Sequence, residues 1–130
     1  MDWVEVFVAF VVCHLVGDYL FQTDWQAVHK RGGLGSSPER RQALLTHVAT
    51  YTLAFVPVLV ALWDQLGAAV FGVAALIYIP HMIQDDGRLL TKYVARVKGP
   101  NAAELQHVFT AVDQSFHMVA LFLLALLAAS

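Results

Sequence analysis

Seven histidine and aspartate side chains recur at helical spacing in a chain that is otherwise mostly apolar. Three histidine–aspartate pairs lie four residues apart, the first within HLVGDYLFQ at residues 14–22. Residues four apart lie about 40° from each other around a helix, so each pair projects from one face. Helical spacing also favours Asp85 over Asp86 as the partner of His81. The seven residues are His14, Asp18, His47, His81, Asp85, Asp113 and His117.

This set of side chains predicts a metal site. Imidazole nitrogens and carboxylate oxygens without a thiolate suit zinc, iron or manganese, and zinc is favoured. Seven ligands exceed what one zinc ion needs. Two divalent ions about 3.5–4 Å apart, bridged by an aspartate, would use all of them and would support hydrolysis. An aspartate not committed to the metal, Asp18 or Asp85, is then the predicted general base.

Further polar residues share these helix faces and are expected to surround the ligands. Tyr19, Gln22, Gln84 and Gln114 are predicted to orient them by hydrogen bonds. Arg88 is predicted to contact an anionic substrate or lipid headgroup, although a basic residue at a helix end also commonly extends to the membrane surface.

The elements that must position these residues are membrane helices. Hydrophobic residues make up 58% of the 130-residue chain and charged residues 14%, and the mean hydropathy is +0.61. Four apolar segments, at about residues 3–26, 42–63, 67–88 and 105–129, reach the roughly 20 residues that a span needs. We therefore predict a single all-α domain, a four-helix membrane bundle with antiparallel neighbours, in which Pro57 and Pro80 kink their helices. The spacing also suggests a tandem repeat of two helix hairpins.

The charges predict an orientation. Basic residues flank the first and third loops, which places those loops in the cytoplasm and both termini outside it. The seven residues then lie roughly 5–20 Å from the cytoplasmic side. The net charge of −2 argues against nucleic acid as a partner, and the single cysteine, Cys13, excludes an internal disulfide.

A simpler interpretation competes with the metal site. Each histidine–aspartate pair could be a hydrogen-bonded pair that joins helices, as polar residues do in membrane bundles. Burying three carboxylates near four imidazoles without a cation leaves much of the charge uncompensated, however, so for the whole set we favour a metal.

The first helix resembles that of a small, uncharacterised family of bacterial inner-membrane proteins, whose motif is H-L-x-G-D-Y-x-F-Q. The resemblance extends over most of the chain and implies the bacterial inner membrane, but it brings no established activity. The matching residues are His14, Leu15, Gly17, Asp18, Tyr19, Phe21, Gln22, Thr23, Asp24, Trp25, Lys30, His47, Tyr51, Thr52, the segment 81–85, Asp113, Gln114 and His117.

The leading functional hypothesis is a metal-dependent hydrolase that acts on an ester or phosphoester of a lipid or other amphiphile at the cytoplasmic leaflet. A second is a transporter subunit for protons or divalent cations, which would need a homo-oligomer because four helices form a narrow conduit. A third is a di-iron redox enzyme, and a fourth is a binding or assembly subunit without chemistry. The outward halves of the predicted helices carry almost no ionisable groups, which favours a one-sided pocket over a transport path.

Overall fold

A computed structural model describes residues 1–130, and all of its regular elements are helical. Short turns join the helices, and the α-helical elements are interrupted by one π-helical and two 3₁₀ segments. In chain order the elements are α1 (Trp3–Leu15), a π-turn (Val16–Leu20), α2 (Asp24–His29), α3 (Pro38–Leu53), α4 (Val56–Ala61), α5 (Trp63–Leu66), a 3₁₀ turn (Gly67–Ala69), α6 (Val70–Asp86), α7 (Arg88–Val97), a 3₁₀ turn (Ala102–Glu104) and α8 (Gln106–Ala128).

The first apolar segment is shorter than predicted. Asp2 caps α1 in a reciprocal arrangement with Glu5, and the helix continues through the π-turn to Leu20. Thr23 then caps a separate helix, α2, through the backbone N–H of Gln26. The prediction of one span over 3–26 is therefore wrong in its last part, because a new helix start interrupts the chain after Leu20.

The predicted second span, 42–63, is not one continuous helix. Ser37 caps α3, which begins at Pro38 and ends at Leu53. Pro57 in the first turn of α4 has no N–H to continue the ladder of hydrogen bonds, and the helix breaks at residues 54 and 55. The other proline, Pro80, lies inside α6 without ending it.

Three segments are long and apolar enough to cross a membrane: Trp3–Leu20, Trp63–Asp86 and Gln106–Ala128. The third predicted span, 67–88, corresponds to the segment Trp63–Asp86, which begins and ends earlier than predicted. The segment ends at Asp86 because Gly87 adopts a left-handed conformation (φ 73°). The fourth, 105–129, agrees with α8 to within a residue at each end. Large apolar side chains on these segments are exposed, among them Val8, Phe71 and Leu123, as expected of helices that face lipid.

The connection after α6 contains an element that the sequence analysis missed. Helix α7 is amphipathic: Leu90 and Val94 are buried, and Phe109 of α8 completes their small apolar cluster. From the sequence, the basic residues of this segment are predicted only to flank the third loop, and no separate helix is predicted here.

The apolar core lies at one end of the helices. Helix α1 packs along α8, α3 along α6, and α6 along α8. A cluster of 14 buried apolar residues from these helices and α4 forms the core, and Phe10 and Phe55 meet at its centre with ring centroids 5.7 Å apart. The polar residues lie beyond this cluster, toward α2 and the loop that follows it.

Candidate metal centre

Four buried side chains bring one ligand atom each to a common point. The Nε2 atom of His47 lies 3.2 Å from the Nε2 atom of His81. It also lies 3.2 Å from Asp18 Oδ1 and 2.8 Å from Asp85 Oδ2. The Nε2 atom of His81 lies 3.4 Å from Asp18 Oδ1 and 3.1 Å from Asp85 Oδ2. Ligands bound tetrahedrally to zinc are about 3.3 Å apart, so these five distances fit the edges of such a site.

Three elements position this four-residue group. His81 and Asp85 are one turn apart on α6, and His47 faces them from α3. Asp18 comes from the π-turn, where the backbone N–H of Phe21 donates to the carbonyl of Val16 at 2.9 Å. A π-turn inserts an extra residue into the helical repeat and often occurs at functional sites. Here it sets the direction in which Asp18 projects.

A glycine brings the π-turn close to α3. A Cβ atom added to Gly17 would lie 2.6 Å from a ring carbon of Tyr51. Real side chains do not approach so closely, so only glycine permits this contact without a shift of the aromatic ring. The close approach places Asp18 next to His47.

A second group shares one member with the first. Asp85, Asp113 and His117 also bring ligand atoms together. The Nδ1–H of His117 donates to the backbone carbonyl of Asp113 at 2.8 Å, which leaves Nε2 with a lone pair. That Nε2 atom lies 3.5 Å from Asp85 Oδ1. The Asp85 carboxylate therefore faces the four-residue group with Oδ2 and His117 with Oδ1.

The charge balance of the centre is negative. Asp18 and Asp85 are buried and Asp113 is largely so, whereas one ammonium group, that of Lys30, enters the cluster. Lys30 Nζ donates to Asp85 Oδ2 at 2.7 Å and also to the side-chain oxygen of Gln22. It lies 3.4 Å from His47 Nε2. One lysine cannot balance three carboxylates, so with neutral imidazoles the centre favours further positive charge.

Buried polar atoms without hydrogen-bond partners test whether the residues fit a metal. Asp18 Oδ1 and His117 Nε2 are two such atoms, and both belong to the ligand groups. A lone pair buried without a donor is costly, and a cation would satisfy both. The Nδ1 atoms of His47 and His81 also have no partner. In this respect they differ from most metal-binding histidines, whose second nitrogen donates to a protein oxygen.

His14 lies beside the centre and outside both groups. Its Nε2–H donates to the side-chain oxygen of Gln114 at 2.9 Å, and its Nδ1 accepts from the hydroxyl of Tyr51 at 3.0 Å. The ring of Tyr51 in turn stacks on His81, with centroids 3.4 Å apart and an interplanar angle of 6°. The Nε2 atom of His14 also lies 3.7 Å from Asp18 Oδ2. His14 is therefore connected to the four-residue group directly at Asp18 and, through Tyr51, at His81. The two halves of the suggested repeat thus use their first histidines differently.

The residues predicted to surround the ligands occupy different places. Gln114 contacts His14, and Gln22 contacts Lys30. Tyr19 is exposed, and Gln84 donates to the backbone carbonyl of Phe116 at 3.5 Å. Two of these four residues therefore contact a side chain, His14 or Lys30, that itself lies against a proposed ligand.

Arg88 lies outside the cluster. Its Nε donates to Asp86 Oδ2 at 2.7 Å, and the backbone N–H of Leu34 donates to Asp86 Oδ1 at 2.8 Å. Asp86 thus fastens the loop after α2 to the end of α6, while Asp85 belongs to the cluster.

Two adjoining cavities reach the centre from its polar side. The first, of about 260 Å³, is bordered by Asp85, Asp113 and Lys30. The second, of about 230 Å³, is bordered by Asp18, Tyr19 and Asp113. Lys30 and Asp113 border both cavities. A small polar molecule therefore has room beside the carboxylates.

Sequence reasoning missed the roles of Lys30 and Tyr51. Lys30 follows α2 and belongs to the basic run that the sequence analysis assigned to a cytoplasmic loop. Tyr51 lies four residues after His47 on α3, and this spacing was a signal that it shares the same face. No local signal connects Lys30 with Asp85, because the contact depends on how α2 turns back toward α6.

Comparison with known proteins identifies the family of the chain. No curated protein and no solved structure matches it. One family of proteins of unknown function, DUF3307, matches residues 6–130. This agrees with the resemblance to an uncharacterised family that the sequence indicated. The match covers almost the whole chain, which therefore belongs to the DUF3307 family.

Proposed function

We propose that the chain is a membrane-embedded metalloprotein that binds divalent ions, with zinc favoured, inside a bundle of four membrane-crossing helical segments. The observation that carries the proposal is the spacing of the ligand atoms of Asp18, His47, His81 and Asp85. The five distances between 2.8 and 3.4 Å fit a tetrahedral zinc site. The excess of buried carboxylates over Lys30 supports the same conclusion.

We further propose that a second ion binds beside the first. Asp85 has one oxygen toward each ligand group, as a bridging carboxylate requires. The second group supplies three protein ligands, and two of them, Asp85 and Asp113, border a cavity. Three ligands beside open space are typical of catalytic metal sites, whereas four ligands are typical of structural ones. We therefore expect catalysis to occur at the second metal position, which Asp85, Asp113 and His117 would hold.

The reaction that we propose is hydrolysis of an ester or phosphoester of a lipid or other amphiphile. A bound divalent ion supplies a Lewis acid that polarises the substrate oxygen and makes water a stronger acid. Asp18 borders the adjoining cavity, and since its Oδ1 is the proposed ligand of the first ion, its other oxygen, Oδ2, is assigned as the general base that would accept a proton from water. Asp85 is assigned as the shared ligand. Lys30 and Arg31 border the cavities and would attract an anionic substrate.

The proposed site faces the cytoplasmic leaflet of the bacterial inner membrane, with both chain termini on the other side. Support comes from the positive side chains around the polar end, among them Lys30, Arg31 and Arg88, since basic residues concentrate on the cytoplasmic side. Exposed apolar side chains such as Leu20 and Leu89 near the same end would contact lipid.

Two other functions remain as alternatives and make different predictions. A transporter for protons or divalent cations needs polar groups across the whole membrane, yet Tyr51 is the one residue with a polar side-chain group in the 14-residue cluster beyond the centre. It would therefore depend on a homo-oligomeric path. A di-iron redox enzyme fits the same ligands but predicts bound iron and colour. The donor set alone favours zinc over iron only weakly, so metal identification decides between them.

The test is the metal content of the full chain, purified in mild detergent without a histidine tag and measured by elemental mass spectrometry. We expect two equivalents of zinc in the native protein. Asp85→Asn should lose both, because Asp85 belongs to both groups. Asp113→Asn should retain one, because the four-residue group stays intact.

His107→Ala is the matched control, since His107 is an exposed histidine on the same helix as His117. It should leave the metal content unchanged. A native protein that stays free of zinc, manganese and iron after dialysis against each ion would overturn the proposal. Iron in place of zinc would favour the redox alternative.

A further inference from the structure

A groove separate from the metal centre carries a strong positive charge. It has a volume of about 750 Å³ and runs between the loop after α2 and the junction of α6 and α7. Four cationic side chains and a single acidic one border it. They are Arg31, Arg40, Arg88, Lys92 and Asp86.

The acidic side chain is already engaged. Both oxygens of Asp86 accept hydrogen bonds, one from the backbone of Leu34 and one from Arg88. Arg31 stacks on the ring of Phe109 at 4.0 Å, and Arg40 donates to the backbone carbonyl of Arg31. These contacts orient the two guanidinium groups without neutralising them. The groove therefore has a surplus of positive charge that attracts an anion.

The same groove has apolar walls that continue onto a membrane-facing surface. Leu34, Ile83 and Leu89 border it. On α7, Leu89, Tyr93 and Val97 recur every four residues and are exposed. A helix with an exposed apolar stripe and neighbouring basic residues is typical of segments that lie in the membrane interface. The binding partner should accordingly combine an anionic group with hydrocarbon.

We infer that this groove binds the phosphate group of an anionic phospholipid. Arg31, Arg40 and Lys92 hold the phosphate, while the lipid chains extend past Leu89 along the exposed face of α7. The site contains none of the proposed metal ligands and does not depend on a bound ion. Arg31 and Gly87 border both the groove and the cavity beside Asp85, so a lipid bound here lies next to the metal centre.

Glycine at position 87 makes this arrangement possible. It has a φ of 73°, and a Cβ atom there would lie 3.0 Å from Cγ of Arg31. A larger residue would therefore push Arg31 away from the junction of the two cavities. The groove thus depends on the same residue that ends α6.

The experiment is a calorimetric titration of the full chain in neutral detergent with short-chain phosphatidylglycerol. Short-chain phosphatidylcholine and inorganic phosphate are titrated separately. We expect phosphatidylglycerol to bind more tightly than both by at least about tenfold, since a charged hydrogen bond and the apolar contacts each add affinity. Arg40→Gln and Lys92→Gln should each weaken its binding about tenfold, and Arg40→Lys should restore most of it.

Arg96→Gln is the control, because Arg96 lies on α7 but does not border the groove. It should bind phosphatidylglycerol like the native protein. Equal binding of phosphatidylcholine, an equal loss in Arg96→Gln, or unchanged binding in both Arg40→Gln and Lys92→Gln would overturn the inference. Inorganic phosphate bound as tightly as phosphatidylglycerol would assign the groove to free phosphate instead.

The metal content of each variant is measured in parallel. Because no groove residue is a proposed ligand, a failed lipid titration with normal zinc content would reject the groove alone. Absence of zinc with normal lipid binding would reject the metal centre alone.

Discussion

The apolar and polar ends of the molecule are built on the same helix faces, one turn apart. Phe10 precedes His14 by four residues on α1, and Ile77 precedes His81 by four on α6. On α8 the order is reversed, and His117 precedes Leu121 by four. Each of these three helices therefore changes from apolar to polar buried side chains at a similar level. All of these side chains are buried, so burial alone does not distinguish the two ends.

The two ends differ in what holds them together. At the apolar end, close packing of rings and branched side chains stabilises the fold and needs no partner. At the polar end, carboxylates and imidazoles lie within 3.5 Å of each other, and several of their atoms have no hydrogen-bond partner. The first region therefore provides stability, whereas the second has the unsatisfied polar atoms that the proposed metal site would use.

A pair of substitutions tests this contrast most strongly. Phe10→Ala should lower the free energy of unfolding by about 3–5 kcal/mol, because it leaves a cavity in the packed core, and should keep the native metal content. His81→Ala should remove the metal of the four-residue group, because a ligand is lost. Thermal unfolding in detergent and elemental analysis measure both effects. A folded Phe10→Ala protein without metal would show that the two ends are not separable.

A smaller effect on metal binding is expected at Gly17, where the π-turn packs against Tyr51. Gly17→Ala would force Tyr51 away from the π-turn, since the new Cβ would lie 2.6 Å from its ring. The displaced ring would move His81 and Asp18 apart, so we expect zinc affinity to fall about 10–100-fold. Competition with a fluorescent chelator measures this change. Ala9→Gly on the same helix is the control, and an equal loss there would attribute the effect to helix stability.

The sequence was sufficient for the helical class and for most of the polar centre. Hydropathy located the three segments that are long and apolar enough to cross a membrane, and spacing by four selected Asp85 instead of Asp86. The break before Pro57 was predicted as a kink, but hydropathy could not reveal that it divides α3 from α4. Helix α7 is not predicted because its 10 residues are too few for a membrane span and basic residues interrupt its apolar stripe.

The arrangement of the side chains in the centre could not be predicted, because it depends on the backbone geometry of the π-turn and of α2. The π-turn changes the direction of Asp18 relative to an ideal helix, and no pattern in the residues signals such a turn. Lys30 reaches Asp85 only because α2 turns back after Thr23. His14 had the right spacing for a ligand, yet Tyr51 and Gln114 occupy both of its nitrogens.

The smallest expected effect concerns the link from His14 to the centre. Tyr51→Phe keeps the ring that stacks on His81 but removes the hydroxyl that donates to His14. If stacking positions His81, the loss of this one hydrogen bond should lower zinc affinity by about tenfold or less, whereas Tyr51→Leu, which also removes the ring, should lower it further. The same chelator competition measures both. Equal losses in the two variants would mean that the hydroxyl and His14, not the stacked ring, connect the apolar end to the metal centre.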